Sequence, residues 1–313
     1  MRLVSFTPKG AGLPAGSGAT GRWLGVLEGD AVVRVERPAS MEALLEEWDA
    51  GLSLVQGASS GVASSGHATP SSTRYPLDNV TLHPPVAQPP SLRDFYAFEA
   101  HVKNARARRG LPVPPEWYEL PVFYFSNPGS LVGHGVQVRK PVWTQSLDYE
   151  LEIACVIGKR ARDVSAEDWQ SVVAGFTILN DWSARDVQRR EMAVGLGPAK
   201  GKDFATSLGP ALVTLDELEP RRRGDRYDLA MEARVNGTTL SRGNAKDTHW
   251  TFGQMIARAS QDVYLFPGDV IGSGTVGGGC LLELGQEVHR WLEPGDEVAL
   301  EIELLGTLTN RIV

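Results

Sequence analysis

Three acidic residues alternate along one short segment of the chain. Asp148, Glu150 and Glu152 stand two residues apart within Leu147–Ile153, and a β-strand would place them on one face. Carboxylates this close repel one another unless a cation neutralises them, and oxygen ligands suit magnesium, calcium or manganese. A solvated strand face with its carboxylates in water explains the same spacing. The spacing by itself leaves both interpretations open.

A second group of polar residues follows an apolar run. Asp181 ends that run where a helix is predicted to begin, so it can cap the helix or bind a cation. Arg185 and Gln188 are three residues apart and share a face of the same helix. A fixed cation beside an amide donor suits a substrate oxyanion or carboxylate. An exposed, salt-bridging face is the alternative, and it fits residues 189–191 better than Arg185.

A histidine follows an aspartate in an aromatic segment. Asp94 and His101 are seven residues apart, which is about two helical turns, so a helix would point both side chains the same way. The ordinary pKa of histidine suits general-base catalysis near neutral pH. A single histidine is more often structural, so the spacing alone assigns no role.

The composition is that of an ordinary globular protein, with 313 residues of which 42% are hydrophobic and 22% charged. This length suits one large domain or a small domain plus a large one. The formal net charge of −7 argues against nucleic-acid or anionic-membrane binding, which requires a basic surface. No apolar run approaches the roughly 20 residues of a membrane helix, and the first residues lack a signal-peptide core. We therefore expect a cytoplasmic protein.

The two cysteines, Cys155 and Cys280, stand among apolar residues. We predict that both are reduced, buried thiols. Their neighbours lack the paired cysteine or histidine spacing of a zinc site.

The N-terminal 56 residues are predicted to form a small β-rich domain. Trp23–Glu28 and Ala31–Val35 flank a glycine-containing turn and predict a hairpin. The residues that follow are small, polar and uncharged, which predicts a linker or loop over 57–82. The catalytic domain is then expected to span 83–313.

The remaining chain mixes helices with strands. Asp94–Gly110, Ser165–Gly175 and Ser183–Met192 are predicted helices. Leu147–Ile157 is a predicted strand, and Asn236-Gly237 predicts a type I′ hairpin. Strands and helices do not alternate regularly, so the pattern favours an α+β fold over a doubly wound parallel sheet.

Seven short motifs follow one another along the chain: DFYAFEAH at 94–101, PVFYF with GSLVGHG at 121–135, DYELE at 148–152, NDWSARDVQ at 180–188, GKDF at 201–204, GSGT at 272–275 and LLELG at 281–285. In this order they resemble the fumarylacetoacetate hydrolase family over roughly residues 83–313. The resemblance implies a mixed β-sheet or β-roll catalytic domain of the fumarylacetoacetase C-terminal type. The N-terminal residues match only as a small β-rich leader.

The resemblance also implies a divalent metal as cofactor, Mg²⁺, Ca²⁺ or Mn²⁺. The positions that match the family's metal carboxylates are Asp94, Glu150, Glu152 and Asp181. Asp148 matches no ligand, although spacing alone leaves it a candidate. Lys202 and Thr206 match positions near a second, structural cation.

The other matches concern catalysis and substrate. His101 matches the general base that activates water, and Glu283 matches the carboxylate that orients it. The groups that match oxyanion stabilisers are Arg185, Gln188 and Lys202, and those that match substrate contacts are Tyr96, Tyr124 and Thr275. Met192 replaces a tyrosine of the mammalian-type enzymes. A basic substrate-binding residue after the first helix matches Arg106, Arg108 or Arg109.

These matches imply a metal-dependent hydrolase of aromatic amino acid catabolism. It would cleave a carbon–carbon bond in a small β-diketo acid resembling fumarylacetoacetate, with histidine-activated water attacking a metal-chelated carbonyl, and it would form a homodimer. Other activities on the same scaffold stay open: acylpyruvate hydrolysis, oxaloacetate decarboxylation, and isomerisation or hydration of 2-hydroxy-dienoates. A catalytically silent metal- or ligand-binding protein is the alternative from another class.

Overall fold

The computed structural model describes residues 1–10, 21–59 and 73–313. Its strands are β1 (Arg2–Pro8), β2 (Trp23–Glu28), β3 (Ala31–Arg34), β4 (Arg74–Pro76), β5 (Val80–His83), β6 (Leu92–Phe95), β7 (Phe123–Ser126), β8 (Leu131–Val132), β9 (Gln137–Val138), β10 (Leu147–Asp148), β11 (Leu151–Ile157), β12 (Val173–Asp181), β13 (Ser183–Ala184), β14 (Thr206–Val213), β15 (Arg222–Arg223), β16 (Arg226–Tyr227), β17 (Ala230–Val235), β18 (Thr238–Asn244), β19 (Val270–Gly272), β20 (Glu297–Ile302) and β21 (Gly306–Ile312). Its helices are α1 (Met41–Glu46), α2 (Trp48–Ser59), α3 (Glu99–Ala107), α4 (Arg185–Val194), α5 (Leu215–Leu218), α6 (Phe252–Ser260) and α7 (Leu281–Leu284).

Twelve of the described strands form one large mixed sheet. Its order is β4-β3-β2-β1-β14-β12-β11-β19-β6-β7, with β5 paired to β1 and β8 paired to β14. Most neighbours are antiparallel, whereas the β19–β6 and β14–β8 pairs are parallel. Because β1 pairs with β14, the N-terminal strands continue the sheet that also carries the strands of the predicted catalytic domain. The division of the chain into domains stays a prediction.

The second sheet has five strands in the order β18-β17-β20-β21-β9 and packs against one face of the large sheet. Ile153 on that face joins the same apolar cluster as Leu300 of β20. Ala154 points the opposite way, into a cluster that includes Leu44 of α1. Since successive side chains of a strand alternate between faces, covering both faces explains why β11 and β12 are buried along their whole length. The α+β prediction is confirmed.

The predicted helix over Asp94–Gly110 is wrong at its start. Leu92–Phe95 is strand β6, held between β19 and β7, and α3 begins only at Glu99. The ladder hydrogen bonds to both neighbours override the helical spacing of the aromatic residues. Asp94 and His101 therefore do not share a helix face, and any meeting of their side chains comes from the tertiary structure.

The predicted helix over Ser165–Gly175 is also wrong. Only Trp169–Ser171 forms a single 3₁₀ turn, and β12 begins directly afterwards at Val173. The Ser165 hydroxyl and backbone close a turn with Asp168, and the two valines that follow are β-branched residues that favour extended backbone. The capping-box spacing marks a turn here and not the first turn of a long helix.

Both ends of the segment predicted as a linker, 57–82, form regular structure. The helix α2 extends to Ser59, while β4 and β5 pair with β3 and β1. Val80 and Leu82 are buried and Thr81 is not, and this two-residue period indicates a strand. Residues 60–72 lie outside the described residues. The predicted hairpins are confirmed at β2–β3 and β17–β18.

Both cysteines are free and buried, as the sequence predicts. None of the helices in the described part of the chain combines the length and apolar character that crossing a bilayer demands.

Candidate active site

Four buried carboxylates converge beside the centre of the large sheet, and we call them the acidic cluster: Asp94, Glu150, Glu152 and Asp181. One carboxylate oxygen from each lies within 4.8 Å of those from the other three. Asp94 comes from β6, Glu152 from β11 and Asp181 from the end of β12, while Glu150 immediately precedes β11. The structure thus brings together the four residues that the family resemblance implies as metal ligands.

A glycine in β19 makes the convergence possible. Gly272 lies between Asp94 on β6 and Ala154 on β11 in the strand register. A Cβ atom at this position would come within 2.6 Å of Asp94 Oδ1 and 3.3 Å of Glu152 Oε2. Any larger residue would therefore push the two carboxylates out of the site. The backbone N–H of Gly274 donates to both of them, at 3.1 Å each.

Burial and neighbouring charges shift the pKa values of the carboxyl groups in the cluster. Burial, reinforced by the charge of Asp181, raises the pKa of Asp94 to about 8. Burial and the neighbouring carboxylates hold the pKa of Glu152 well above its ordinary value, and burial likewise raises the pKa of Asp181. Burial would also raise the pKa of Glu150, but the charges of Lys202 and Arg185 outweigh it and lower that pKa.

The donor set of the cluster fits a hard divalent cation. All four ligands are carboxylates, which magnesium, calcium and manganese prefer. Asp181 Oδ1 is buried and has no hydrogen-bond partner, although buried polar atoms are nearly always paired. An oxygen left free in this way is what coordination of a metal ion requires. The residues present therefore fit the divalent cation that the family resemblance implies.

Two cations and an amide border the cluster. Lys202 Nζ lies 2.5 Å from both Glu150 Oε2 and Asp181 Oδ2. Arg185 Nη2 donates to Glu150 Oε1 at 2.7 Å, and its Nη1 donates to Gln188 Oε1 at 3.0 Å. The carboxylates nearby raise the pKa values of Lys202 and Arg185 despite their burial, so both side chains carry a positive charge. Their ammonium and guanidinium groups can stabilise negative charge on a substrate.

Asp148 lies outside the acidic cluster. Leu147–Asp148 is strand β10, paired with β13, and a new strand begins at Leu151. The DYELE spacing predicts that three carboxylates share one strand face. This prediction is wrong, because the chain leaves the strand ladder at Tyr149 and Glu150. The carboxylate of Asp148 accepts from Arg185 Nε at 2.8 Å and from the backbone N–H groups that start α7, those of Leu281 at 2.8 Å and Leu282 at 3.0 Å.

A histidine and a glutamate form a second group next to the cluster, which we call the dyad. His101 Nδ1 lies 2.5 Å from Glu283 Oε1. Glu283 Oε2 accepts from Asn104 Nδ2 at 2.9 Å and from the Gly278 backbone at 2.8 Å. Burial would raise the pKa of Glu283, but the hydrogen bond and charge of His101 outweigh it and lower that pKa. An ionised carboxylate only accepts, so Nδ1 of His101 is the donor to Glu283, and the other ring nitrogen, Nε2, is the one that can exchange a proton with a substrate.

The residues that match substrate contacts line the same site. The Tyr124 hydroxyl donates to Asp181 Oδ2, and Thr275 Oγ1 lies 3.5 Å from Glu152 Oε1. The Tyr96 ring packs edge-on against His101, with 5.3 Å between ring centroids, and burial raises the pKa of Tyr96 to about 12. Tyr96 therefore stays neutral near pH 7 and can donate a hydrogen bond.

The positions that match a second cation lie beside Asp181. Lys202 reaches it through Nζ, and Thr206 is its register partner on β14. Thr206 is buried. A second, structural cation next to these two residues stays a prediction.

The structure distinguishes the three arginines that follow His101. Arg108 donates to the backbone carbonyls of Glu283 and Leu284, so it supports the dyad. Arg106 Nε donates to the backbone carbonyl of Pro112, in the loop that follows α3. Arg109 Nη1 lies 3.9 Å from Met192 Sδ, and its charge acts on Tyr96. Arg109 and Met192, both exposed, thus lie at the rim of the site.

Asn104 and the bridging role of Asp148 are functional features that reasoning from sequence missed. Asn104 stands three residues after His101, a spacing that places both on one helix face, and this signal could have identified it. The donors to Asp148 come from α4 and α7, far away in sequence, so no local pattern could have revealed its role.

Comparisons with known proteins show which proteins the chain resembles. A family model described as "Fumarylacetoacetate (FAA) hydrolase C-terminal" matches residues 91–313. The chain is 34% identical over 316 residues to the human protein named "Oxaloacetate tautomerase FAHD2A, mitochondrial", covering 100% of this chain and 92% of that protein. It is 30% identical over 288 residues to the fumarylacetoacetase of Arabidopsis thaliana, covering 70% of this chain and 68% of that protein.

The fold is also that of a solved structure. The maleylpyruvate hydrolase of Sphingobium sp. SYK-6, in complex with manganese(II) and pyruvate, superposes with a TM-score of 0.71 and 24% identity, covering 100% of this chain and 99% of that chain. The similar proteins thus include a tautomerase and two hydrolases.

Proposed function

The chain belongs to the fumarylacetoacetate hydrolase family, and from this premise we propose that it is a divalent-metal-dependent enzyme that enolises a small 2-oxo dicarboxylic acid, oxaloacetate being the first candidate. The dyad next to the acidic cluster carries the proposal. His101, with Nδ1 hydrogen-bonded to a buried carboxylate, is a general base of defined orientation. The human relative, which aligns with the whole chain, bears the name oxaloacetate tautomerase.

The acidic cluster would hold the metal ion through Asp94, Glu150, Glu152 and Asp181. When bound there, a divalent cation acts as a Lewis acid that polarises a substrate carbonyl and acidifies the adjacent C–H. This chemistry suits a 2-oxo acid, whose ketone and carboxylate offer two neighbouring oxygens.

The side chains of the protein account for the proton transfers. His101 Nε2 takes the proton from the carbon between the two carbonyl groups, while Glu283 stabilises the imidazolium that forms. Lys202 and Arg185 offset the negative charge that develops on the substrate oxygen. The protonated His101 then returns the proton to oxygen or to carbon, which interconverts the keto and enol forms. Arg109 at the rim is placed to meet the distal carboxylate.

A second candidate is the hydrolysis of a carbon–carbon bond in a β-diketo acid, as the sequence predicts. Arg185 with Gln188 favours it, since a cation–amide pair suits the oxyanion that forms when hydroxide adds to a carbonyl. His101 would then take a proton from water, and the bond between the attacked carbonyl carbon and its neighbour breaks to leave an enolate. The fumarylacetoacetase relative is consistent with this reaction.

One substrate panel distinguishes the two reactions. The protein loaded with Mn²⁺ or Mg²⁺ is mixed with freshly dissolved enol-form oxaloacetate, and the loss of enol absorbance is followed against the uncatalysed rate. Fumarylacetoacetate and an acylpyruvate are assayed in parallel, with products separated by chromatography. Accelerated ketonisation without cleavage products supports the tautomerase, and cleavage of a diketo acid supports the hydrolase. If neither occurs, the proposed function is wrong.

EDTA treatment should abolish either activity, and adding the metal back should restore it.

The homodimer and the cytoplasmic location stay proposals. Light scattering coupled to size-exclusion chromatography tests the homodimer.

A further inference from the structure

The carboxylate of Glu191, near the end of α4, accepts three backbone hydrogen bonds from one loop. The donors are the N–H groups of Ala199 at 3.0 Å, Lys200 at 2.6 Å and Gly201 at 3.2 Å. Sequence reasoning placed Glu191 on an exposed, salt-bridging helix face, yet its partners are main-chain donors eight to ten residues away. A side chain that satisfies three consecutive amides fixes the course of the loop.

The same loop packs tightly against α4 and its start. The Gly201 carbonyl accepts from the Ala184 backbone at 2.8 Å. A Cβ atom at Gly201 would lie 2.8 Å from the Gln188 backbone nitrogen, so only glycine allows this approach. The loop therefore lies directly against the helix that presents Arg185 and Gln188 to the site.

The residue that follows the loop is Lys202, whose amine contacts Glu150 and Asp181 of the acidic cluster. Its side chain is only 4% exposed, whereas the side chain of Lys200 on the same loop is 61% exposed. A short displacement of the loop would withdraw the amine from both carboxylates.

We propose that Glu191 is a positioning residue, which holds the Lys202 amine at the active site by tying loop 199–201 to α4. The effect on catalysis rests on the proposed function, in which Lys202 offsets the negative charge that develops on the substrate oxygen. The position of the loop is independent of any reaction. Glu191 itself does not touch the acidic cluster or the dyad in the hydrogen bonds of the structure.

If Glu191 holds loop 199–201 against α4, substitutions at this position should have graded effects. Glu191→Ala removes all three acceptor contacts, whereas Glu191→Gln keeps one carbonyl oxygen that can still accept from the loop. Arg190→Gln is the matched control, because it changes an exposed side chain on the same helix. Each variant is compared with the wild type as full-length, Mn²⁺-loaded protein of verified circular dichroism and melting temperature.

Two measurements report on the loop without using turnover. Reductive methylation read by peptide mass spectrometry compares Lys202 with Lys200 in the same molecule. In the wild type, Lys202 should react at least about 10-fold more slowly, and Glu191→Ala should remove most of this difference because the loop opens locally. Hydrogen exchange of amides 199–201 should accelerate in the same variant, with Glu191→Gln intermediate and Arg190→Gln unchanged.

Turnover adds the functional readout. For Glu191→Ala we expect kcat to fall about 10-fold with a smaller change in KM, since a displaced catalytic group affects the chemical step more than binding. Wild-type methylation and exchange rates in Glu191→Ala would overturn the proposal, as would a kcat equal to that of the wild type. If the wild type turns over no substrate of the panel, the proposed function fails, while the labelling experiments still decide whether Glu191 tethers the loop.

Discussion

The acidic cluster and the dyad lie in one site, but the protein stabilises the negative charge of their carboxylates to different extents. Both oxygens of Glu283 have hydrogen-bond donors, and the pKa of this carboxyl is lowered despite burial. In the cluster, Asp181 Oδ1 has no donor, and the pKa values of Asp94 and Glu152 are raised. The protein alone satisfies the dyad, whereas in the cluster it leaves one oxygen of Asp181 without a donor and two carboxyls with raised pKa values, which a further cation would relieve.

The supporting elements explain this difference. The dyad is assembled from α3 and α7, and its Glu283 accepts from Asn104 of α3 and from the N–H of Gly278, which precedes α7. Three of the four cluster carboxylates come from β6, β11 and β12 of the large sheet, which brings like charges together. Most backbone amides of these strands are already used in the hydrogen bonds between strands. A sheet can therefore hold carboxylates close without neutralising them, and this is an arrangement that suits a metal site.

The largest effect is expected for Glu152→Gln, which removes a charge from the cluster without removing the partner of a buried cation. Mn²⁺ affinity should fall on the order of 100-fold or more, because ligand losses exceed the 10–100-fold typical of residues around a site. The metal-free variant should melt at the same temperature as the wild type or higher, since one repulsion is gone. Isothermal titration and thermal melting measure both effects.

The exposed Glu119→Ala serves as the control for this experiment. Unchanged Mn²⁺ affinity in Glu152→Gln would contradict the assignment of the cluster as the metal site.

A smaller but still large effect is expected when the dyad loses its base. His101→Asn should lower kcat about 1,000-fold, within the range for loss of a general base, while Mn²⁺ affinity stays within about 3-fold of the wild type because the dyad supplies no ligand. Steady-state kinetics and titration calorimetry are the measurements. His289→Asn, which alters a histidine bonded only to a neighbouring carbonyl among the contacts described, should behave as wild type. Wild-type turnover in His101→Asn would eliminate the proposed base.

Asp148→Asn tests the residue that links the acidic cluster to the dyad. Its carboxylate accepts from Arg185, which borders the cluster, and from the start of α7, which carries Glu283. An amide cannot accept all three hydrogen bonds, so we expect kcat to fall about 10-fold to 100-fold, less than for loss of an oxyanion donor outright. Melting temperature and metal affinity are measured alongside kcat, to separate misplacement of the catalytic groups from unfolding. A normal kcat would show that Asp148 does not position them.

The smallest effect concerns the pH dependence of stability in the metal-free protein. The pKa of Asp94 is about 8 in the folded state against an ordinary value of 3.8, so the folded protein keeps a proton that the unfolded chain releases between about pH 4 and pH 8. This contribution is fully present below pH 4 and is lost as the pH rises towards 8. Melting curves of wild type and Asp94→Asn should converge at low pH and separate as the pH rises, with the variant the more stable. Parallel curves would contradict the raised pKa.

Much of the fold could be predicted from local pattern. The segment 147–157 alternates and then becomes apolar, which predicts a strand entering the core, and Asn236-Gly237 predicts a hairpin, because alternation and turn chemistry act over a few residues. The helix predicted over 94–110 was wrong at its start because aromatic residues at helical spacing also suit a central strand, and only the pairing of β6 with β19 and β7 decides between them. The segment predicted as a linker, 57–82, has regular structure at both ends, where β4 and β5 pair with the distant strands β3 and β1.

The sequence by itself determined which chemical groups are available: carboxylates for a hard cation, a histidine for proton transfer, and cations for an anionic substrate. Through the resemblance of its motifs it also determined the family. Only the tertiary structure decided that Asp148 points to Arg185 while Glu150, two residues later, joins the acidic cluster. It also decided that Asn104 and Glu191 support the dyad and the loop before Lys202. These choices depend on partners distant along the chain, and hydrogen bonds between such partners exist only once the strands and helices have packed.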